Sequence, residues 1–266
     1  MQILGSILAL IIGVILGLIG GGGSILTVPL VHYVFDTSML LATTYSLFVV
    51  TVAAGFGTVQ RSRTKDIDFR QGVIFVIPGM LTALAIRGWL LPAIPDEFEV
   101  RGMLLRREAM IATLLVFVMM YTAIRTLTSK REPKTTDPAV ILVVAYGVLT
   151  GLLSGLIGAG GGFIIVPILL RLGIPMKKAI GTSMFIITIQ SILALIGDIF
   201  NPNVYQNGGI DWMVLSLITV LTVGGVFVGN KLQHYFTGKM LQKIFGVTLL
   251  LVSLGIAWDK IVRMLF

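Results

Sequence analysis

The chain has 266 residues, of which 56% are hydrophobic and 12% are charged, and its mean hydropathy is +0.99. Because soluble domains carry about a quarter charged residues, this composition excludes an ordinary soluble protein and indicates an integral membrane protein. The absence of cysteine excludes disulfides and thiolate chemistry, and the net charge of +8 comes from short basic clusters between apolar runs, which is typical of a topology signal rather than of nucleic-acid binding.

Apolar runs along the chain predict an all-α membrane protein. A spanning helix needs about 20 apolar residues, and eight stretches approach that length. They are 3–19, 38–60, 71–92, 108–128, 139–157, 176–197, 211–230 and 241–262. Two half-length helices are expected at 25–35 and 163–172.

Each half-length helix follows a glycine-rich break. Residues 17–29 read GLIGGGGSILTVP, and residues 155–167 read GLIGAGGGFIIVP. In hydrocarbon a broken helix leaves backbone N–H and C=O groups unpaired, which is tolerated only where these groups are buried in protein or line a wet cavity. A break that recurs at matching places in two halves is the best sequence indication of the substrate site of a transporter.

The second half of the chain repeats the first in order. We therefore expect two homologous repeats, 1–128 and 139–266, joined by the polar linker 129–138. Further matches in register are ATTYSL at 42–47 with AIGTSM at 179–184, Ile67-Asp68-Phe69 with Ile210-Asp211-Trp212, and Gly79-xxx-Ala83 with Gly225-xxx-Gly229. The two aspartates are expected to cap helices beside aromatic interface anchors, and the small residues to allow close helix packing.

The basic residues decide between two topologies. If each broken segment crossed the membrane, the halves would be parallel and the two faces would receive similar numbers of Lys and Arg. If each broken segment returns to its side of entry, six full spans remain and the halves are inverted. One face then receives Arg61, Arg63, Lys65, Arg70, Arg125, Lys130, Arg131, Lys134, Arg171, Lys177, Lys178, Lys231, Lys239 and Lys243, and the other receives Arg101, Arg106, Arg107, Lys260 and Arg263. Because cytoplasmic faces carry the excess of Lys and Arg, we expect inverted repeats with both termini outside.

The breaks offer an anion site made of backbone groups. The first N–H groups of a helix lack partners within the helix, and the helix N-terminus carries about half a positive charge. Glycine lets the backbone turn sharply and a ligand approach closely, although tight helix packing also explains small residues. The expected binding groups are Gly20, Gly21, Gly22, Gly23 and Ser24 in the first break, and Gly158, Ala159, Gly160, Gly161 and Gly162 in the second.

Neighbouring polar residues complete the expected ligand shell. The repeated motif after each break contributes Thr43, Thr44, Ser46, Gly181, Thr182 and Ser183. The alternative for the hydroxyls is a hydrogen bond to their own preceding helical turn. Gln190 lies deep in its helix and would bind either a ligand or another helix. Arg87 lies in an apolar run, where it would bind substrate or extend to the membrane interface.

The two glycine breaks, each followed by Val-Pro, together with the Ala-Ile-Gly-Thr-Ser motif at 179–183, resemble the sulfite exporter TauE/SafE family over nearly the whole chain. The first half departs from the pattern, because Ser24 stands where the second copy has Gly162 and Tyr45 where it has Thr182. The resemblance implies export of sulfite or a related organosulfonate across a bacterial-type cell membrane. From the residues alone, only an anion site is indicated.

The expected partners are a small anionic substrate and the lipid bilayer, with no nucleic acid, metal or cofactor and with a homo-oligomer left open. An enzyme is not expected, since neither of the two histidines lies deep in a predicted span. A passive anion channel, or a transporter of carboxylate or sulfate, remains the alternative. Because the cell interior is negative, moving one negative charge outward gains about 2.3 kcal/mol per 100 mV of membrane potential. Uniport is therefore physically sufficient for export, and ion-coupled transport stays open.

Overall fold

The computed structural model describes residues 2–21, 23–35, 37, 39–90, 93, 97–100, 103–128, 138–157, 162–199 and 210–265. These ranges hold ten α-helices: α1 (Gln2–Ile19), α2 (Gly23–Val34), α3 (Met39–Arg63), α4 (Phe69–Ala85), α5 (Arg107–Thr128), α6 (Val140–Ile157), α7 (Gly162–Arg171), α8 (Met176–Ile199), α9 (Trp212–Leu232) and α10 (Gly238–Leu265). The predicted helices, including the two half-length ones, are confirmed to within a few residues at most ends.

Three short elements were not predicted from the sequence. A π-helical turn, Ile86–Leu90, continues α4, an antiparallel hairpin pairs Glu97–Val100 with Met103–Arg106, and a 3-10 turn, Gln233–Tyr235, follows α9. The hairpin precedes α5, whose first turn begins with Arg107 and Glu108. The protein is therefore helical apart from this hairpin, within the residues that the structure describes.

Four described helical stretches are long and apolar enough to cross a membrane: Leu41–Arg63, Met176–Asp198, Trp212–Tyr235 and Gly238–Trp258. The sequence predicted six full spans. The remaining two, α4 and α5, count as shorter apolar helices, Phe69–Ala85 and Thr113–Thr128. The charged first turn shortens the apolar part of α5, and the π-helical turn extends α4 beyond its regular part.

The first broken segment folds back on itself. Gly5, near the start of α1, packs against the side chains of Val34 and Phe35 at the end of α2. Since α1 ends at Ile19 and α2 begins at Gly23, the two helices run antiparallel and form a hairpin. At 1.5 Å per residue, α2 is about 18 Å long, well short of the roughly 30 Å apolar core of a bilayer.

The most extensive helix packing joins the two halves of the chain. On α1 and α9, Gly13 packs against Gly225 and Gly17 against Gly229, so these helices run parallel. The helix pair α4 and α6 packs in the same way, because Gly151 meets Gly79 and Gly155 meets Ala83. The predicted close approach of small residues is confirmed, and it takes place within one chain.

The central pair of helices, α3 and α8, runs antiparallel. The Thr44 hydroxyl donates to Asp198 Oδ2 at 2.9 Å, and Thr58 lies 3.4 Å from Thr188. Contacts of α3 with α9 and of α8 with α4 run in the same direction along both helices. Thus α1, α3 and α9 point one way, and α4, α6 and α8 point the other way.

The core of the protein surrounds the start of α7. Phe163 and Ile165 are fully buried there, together with Ile19 at the end of α1 and Ile180 on α8. Large apolar side chains such as those of Phe117, Ile141 and Val220 point outward from the bundle and are mostly exposed. An apolar outer surface of this kind is suited to contact with lipid. The break region, by contrast, lies among the fully buried side chains at the centre of the bundle.

Candidate functional site

The first glycine break lies against the start of α7 in the structure. The chain turns at Gly20, whose φ of +82° lies in the left-handed region that favours glycine. Gly21 then lies against Gly162, the first residue of α7, so closely that a methyl group on Gly21 would overlap the Gly162 carbonyl. All three residues are buried. The break before α2 and the start of α7 therefore face each other inside the protein.

The meeting of the breaks places two helix N-termini side by side, because α2 begins at Gly23 and α7 at Gly162. The first four N–H groups of each helix have no partner within the helix. Each N-terminus also carries about half a positive charge, so the pair together attracts roughly one negative charge. Helix N-termini are in general suited to bind an anion through neutral donors, without a basic side chain in direct contact.

Helix α8 lines the site with Ser183 and Ile187. Ser183 is fully buried, and its Oγ lies 2.5 Å from where a Cβ on Gly20 would stand. The Ser183 hydroxyl donates to the Ile180 carbonyl at 2.8 Å, which is the alternative that the sequence left open. The oxygen still has lone pairs, so Ser183 is available as an acceptor beside the break but already uses its donor.

Thr182 and Tyr45 have matching roles in the two halves. The Asp68 N–H donates to Thr182 Oγ1 at 2.9 Å, and the Asp211 N–H donates to the Tyr45 hydroxyl at 2.5 Å. Each hydroxyl thus holds the connection that precedes a helix of the opposite half. The exchange of Thr for Tyr between the repeats changes the reach of this bond but keeps its role.

The predicted capping role of the two aspartates is confirmed. Asp68 Oδ1 accepts from the Gln71 N–H, and Asp211 Oδ1 accepts from the N–H groups of Met213 and Val214. Each carboxylate therefore satisfies donors at the start of its helix, α4 or α9. The following aromatic residues, Phe69 and Trp212, are exposed at the surface, as expected for interface anchors.

Other predicted polar residues have varied surroundings. Thr44, 2% exposed, donates to Asp198 Oδ2, and Ser46 and Thr43 lie on the same stretch of α3. Gly181 packs against the Asp66 carbonyl of the α3–α4 connection, so this glycine serves close packing. The ligand roles of these residues stay predictions.

Gln190 lies seven residues, or two helical turns, beyond Ser183 on the same face of α8. Its Oε1 is buried and has no hydrogen-bond partner among the described residues. Buried polar atoms are nearly always paired, so an unpaired one calls for a ligand, a water or an ion. A half-turn of the amide would present its N–H groups instead, since the two orientations have the same shape.

Several predicted site residues lie outside the described residues. These are Gly22, Gly158, Ala159, Gly160 and Gly161. For Ser24 and Arg87 the backbone is described, in α2 and in the π-helical turn respectively, but the side chain is not. Their roles remain as the sequence predicted them.

A buried arginine next to the first break was not predicted from the sequence. Arg61 was expected among the basic residues of one membrane face, but its side chain is only 3% exposed. Arg61 Nη2 donates to the Gly17 carbonyl at 2.7 Å, and Gln233 Nε2 donates to the Leu18 carbonyl at 3.4 Å. These bonds satisfy carbonyls in the last turn of α1 that lack partners within the helix. The contacts that bury Arg61 come from α1 and α9, far away in sequence, so no local pattern identifies them.

Comparison with known proteins places the chain among membrane transporters. The family model for the sulfite exporter TauE/SafE matches residues 6–256. A probable membrane transporter protein of Xylella fastidiosa (strain 9a5c) is 28% identical over 252 residues, covering 93% of this chain and 92% of the relative. A probable membrane transporter protein of Methanocaldococcus jannaschii is 26% identical over 255 residues, covering 91% of both chains. A sulfite exporter TauE/SafE family protein 3 of Arabidopsis thaliana is 31% identical over 81 residues, which is 30% of this chain and 17% of the relative. No solved structure matches.

Substitutions at Thr182 test the structural role of its bond to Asp68. Thr182→Val removes the acceptor for the Asp68 N–H inside the protein, so we expect a loss of about 1–3 kcal/mol in the free energy of unfolding. Thr182→Ser keeps the oxygen and is the matched control, with a smaller loss. Thermal unfolding in detergent measures both. A Thr182→Val protein as stable as the wild type would show that this bond between the halves contributes nothing.

Proposed function

The chain belongs to the sulfite exporter TauE/SafE family, and from this premise we propose that it exports sulfite or a related organosulfonate across the cell membrane. The relatives that align with this chain over almost their whole length are named probable membrane transporters. The coarse function is therefore membrane transport. The finer proposal concerns the substrate and its site. The anion binds between the N-termini of α2 and α7, where the two glycine breaks meet.

The contact between Gly21 and Gly162 carries this proposal. It brings together two sets of backbone N–H groups and two positive helix ends, the arrangement that favours a negative ligand. A tetrahedral sulfur oxyanion has several oxygens, each of which accepts one or two such bonds. Because the donors are uncharged, they hold the anion without binding it too tightly for release, as a carrier requires.

The helix directions support an inverted-repeat architecture. Corresponding helices of the two halves are α1 and α6, α3 and α8, and α4 and α9. Contacts within the bundle orient the members of each pair in opposite directions. Two halves related in this way place equivalent breaks at a shared site that is accessible from either side in turn, as in many secondary transporters.

The basic residues follow this architecture. The end of α3 and the start of α8 lie at the same end of the bundle, where Gly181 meets Asp66. Arg63, Lys65 and Lys178 are exposed at this end. A cytoplasmic orientation of this end agrees with the excess of Lys and Arg on cytoplasmic faces, and it leaves both termini outside.

The cysteine-free chain allows a direct test of this topology. We expect Lys65→Cys and Lys178→Cys to be labelled from the same, cytoplasmic side by a membrane-impermeant thiol reagent. Ala93→Cys, an exposed position three residues beyond the π-helical turn that continues α4, is expected to react only from outside. Parallel repeats would put positions 65 and 178 on opposite sides, so labelling of these two cysteines from different sides would contradict the proposal.

Binding and transport by the purified protein test the proposed substrate. A ligand present at 100 times its Kd raises the free energy of unfolding by about 2.7 kcal/mol. We expect such stabilisation with sulfite or sulfoacetate, and saturable sulfite flux in proteoliposomes. Stabilisation by a cation or a neutral solute but by no sulfur oxyanion would overturn the substrate, and unsaturable flux without trans-stimulation would indicate a passive anion channel.

A glycine pair provides the matched variants for these measurements. Gly21→Ala is expected to abolish saturable flux, because its methyl group would overlap the Gly162 carbonyl at the site. Gly197→Ala, whose added methyl group meets nothing within 4 Å, should keep wild-type flux. Full transport by a folded Gly21→Ala protein would show that the contact between the breaks is not needed for function.

A further inference from the structure

Arg61 is a buried cation whose described hydrogen-bond partners are all uncharged. Its Nε and Nη2 donate to Asn230 Oδ1 at 3.1 and 2.7 Å, and Nη2 also donates to the Gly17 carbonyl. Asn230 in turn donates to Gln60 Oε1 at 2.7 Å. These bonds leave the two N–H groups of Nη1 without a hydrogen bond to the described residues. A guanidinium is thus fixed in place with donor capacity remaining.

The charge of Arg61 is only distantly compensated. Asp66 attracts it through space, but no carboxylate forms an ion pair with it within 4 Å in the described part of the chain. The Asp66 side chain is instead bonded to Thr64 at the edge of the protein. A buried charge without a close counter-charge is costly, and an anion that arrives next to it relieves this cost.

The location of Arg61 connects this charge to the proposed anion site. The guanidinium contacts Gly17, which lies three residues before Gly20 in the last turn of α1. It therefore stands beside the break, on the side of the bundle where the α3–α4 connection lies. An anion that enters from this side and moves toward Gly21 passes through the field of Arg61.

The equivalent position in the second half carries the opposite charge. Ser46 and Ser183 correspond at a spacing of 137 positions, and the same spacing takes Arg61 to Asp198. Because α3 and α8 run antiparallel, these two residues stand at opposite ends of the central helix pair. Asp198 Oδ2 accepts from Thr44 at 2.9 Å, close to the part of α3 that corresponds to the Ser183 region of α8.

We propose that Arg61 and Asp198 make the two entrances of the site electrostatically unequal, with Arg61 attracting the anion at the cytoplasmic entrance and Asp198 repelling it at the outer one. The inference rests on the proposed anion transport. A carrier does not alter the final gradient, which is set by the driving forces. The two charges instead set the anion concentration at which each face saturates, low inside and high outside, as suits export.

The test measures the KM for radiolabelled sulfite separately from each face, in proteoliposomes of known protein orientation. Because Arg61→Gln removes a buried positive charge beside the break, it should raise the cytoplasmic KM about tenfold or more while leaving the outer KM nearly unchanged. Arg61→Lys keeps the charge and should recover most of this loss. Asp198→Asn keeps an acceptor for Thr44 and should lower the outer KM several-fold, with no change inside.

Several outcomes overturn the inference. A purely structural Arg61 would make Arg61→Lys as defective as Arg61→Gln, or would change both faces equally. An outer KM unaffected by Asp198→Asn would show that Asp198 does not repel the anion at the outer entrance, and the proposed inequality of the two entrances would then be wrong. This measurement remains decisive even if the Arg61→Gln protein fails to fold.

The wild-type protein separates this inference from the proposed substrate. If it carries acetate or sulfate but not sulfite, the proposed substrate fails, and the same variants are compared with the anion that it does carry. If no anion among sulfite, sulfoacetate, sulfate and acetate is carried or stabilises the protein, the proposed function and the inference are both wrong.

Discussion

The contact between Gly21 and Gly162 brings two interrupted helices together in the middle of a membrane protein. Helix interruptions expose backbone donors and acceptors, and hydrocarbon offers them no partner. Other parts of the structure lie next to the unpaired backbone groups on both sides of the first break. Arg61 and Gln233 satisfy carbonyls at the end of α1, while α2 begins two residues after Gly21, which lies against Gly162 of the other half. The donors that remain are the basis for the proposed binding of an anion at this place.

The interleaving of the two halves holds this arrangement in place. The largest helix contacts join one half to the other, and in the pairs α1 with α9 and α4 with α6 glycines let the backbones touch. The bonds from Asp68 to Thr182 and from Asp211 to Tyr45 also join the two halves, at the connections that precede α4 and α9. A substrate site formed where two such halves meet is suited to exposure on alternate sides, because a small change in their packing opens one face and closes the other.

Much of the fold could be predicted because its signals are local. The lengths of the apolar runs predicted the helices, and the glycine runs predicted the breaks. Asp68 and Asp211 predicted the starts of α4 and α9 to within three residues. The hairpin of 97–106 also left a signal that was overlooked, because its strands are joined by two residues that include Gly102.

The site could be predicted only in outline, because its details depend on contacts between distant parts of the chain. Arg61 resembles its solvated neighbours Arg63 and Lys65 in sequence, and it is buried by Asn230, 169 positions away. Likewise, Thr182 was predicted as a ligand group, but its oxygen accepts a bond from Asp68, 114 positions away. Patterns within one helix predict which face is polar, but they do not identify the residue of the other half that hydrogen-bonds to that face.

The most direct test of the account is a density map of the protein with selenite, an anomalously scattering analogue of sulfite. The account predicts a single strong peak between the N-termini of α2 and α7, within about 3 Å of backbone N–H groups from both helices. A peak bound elsewhere, or two glycine segments that lie apart with no anion between them, would contradict it.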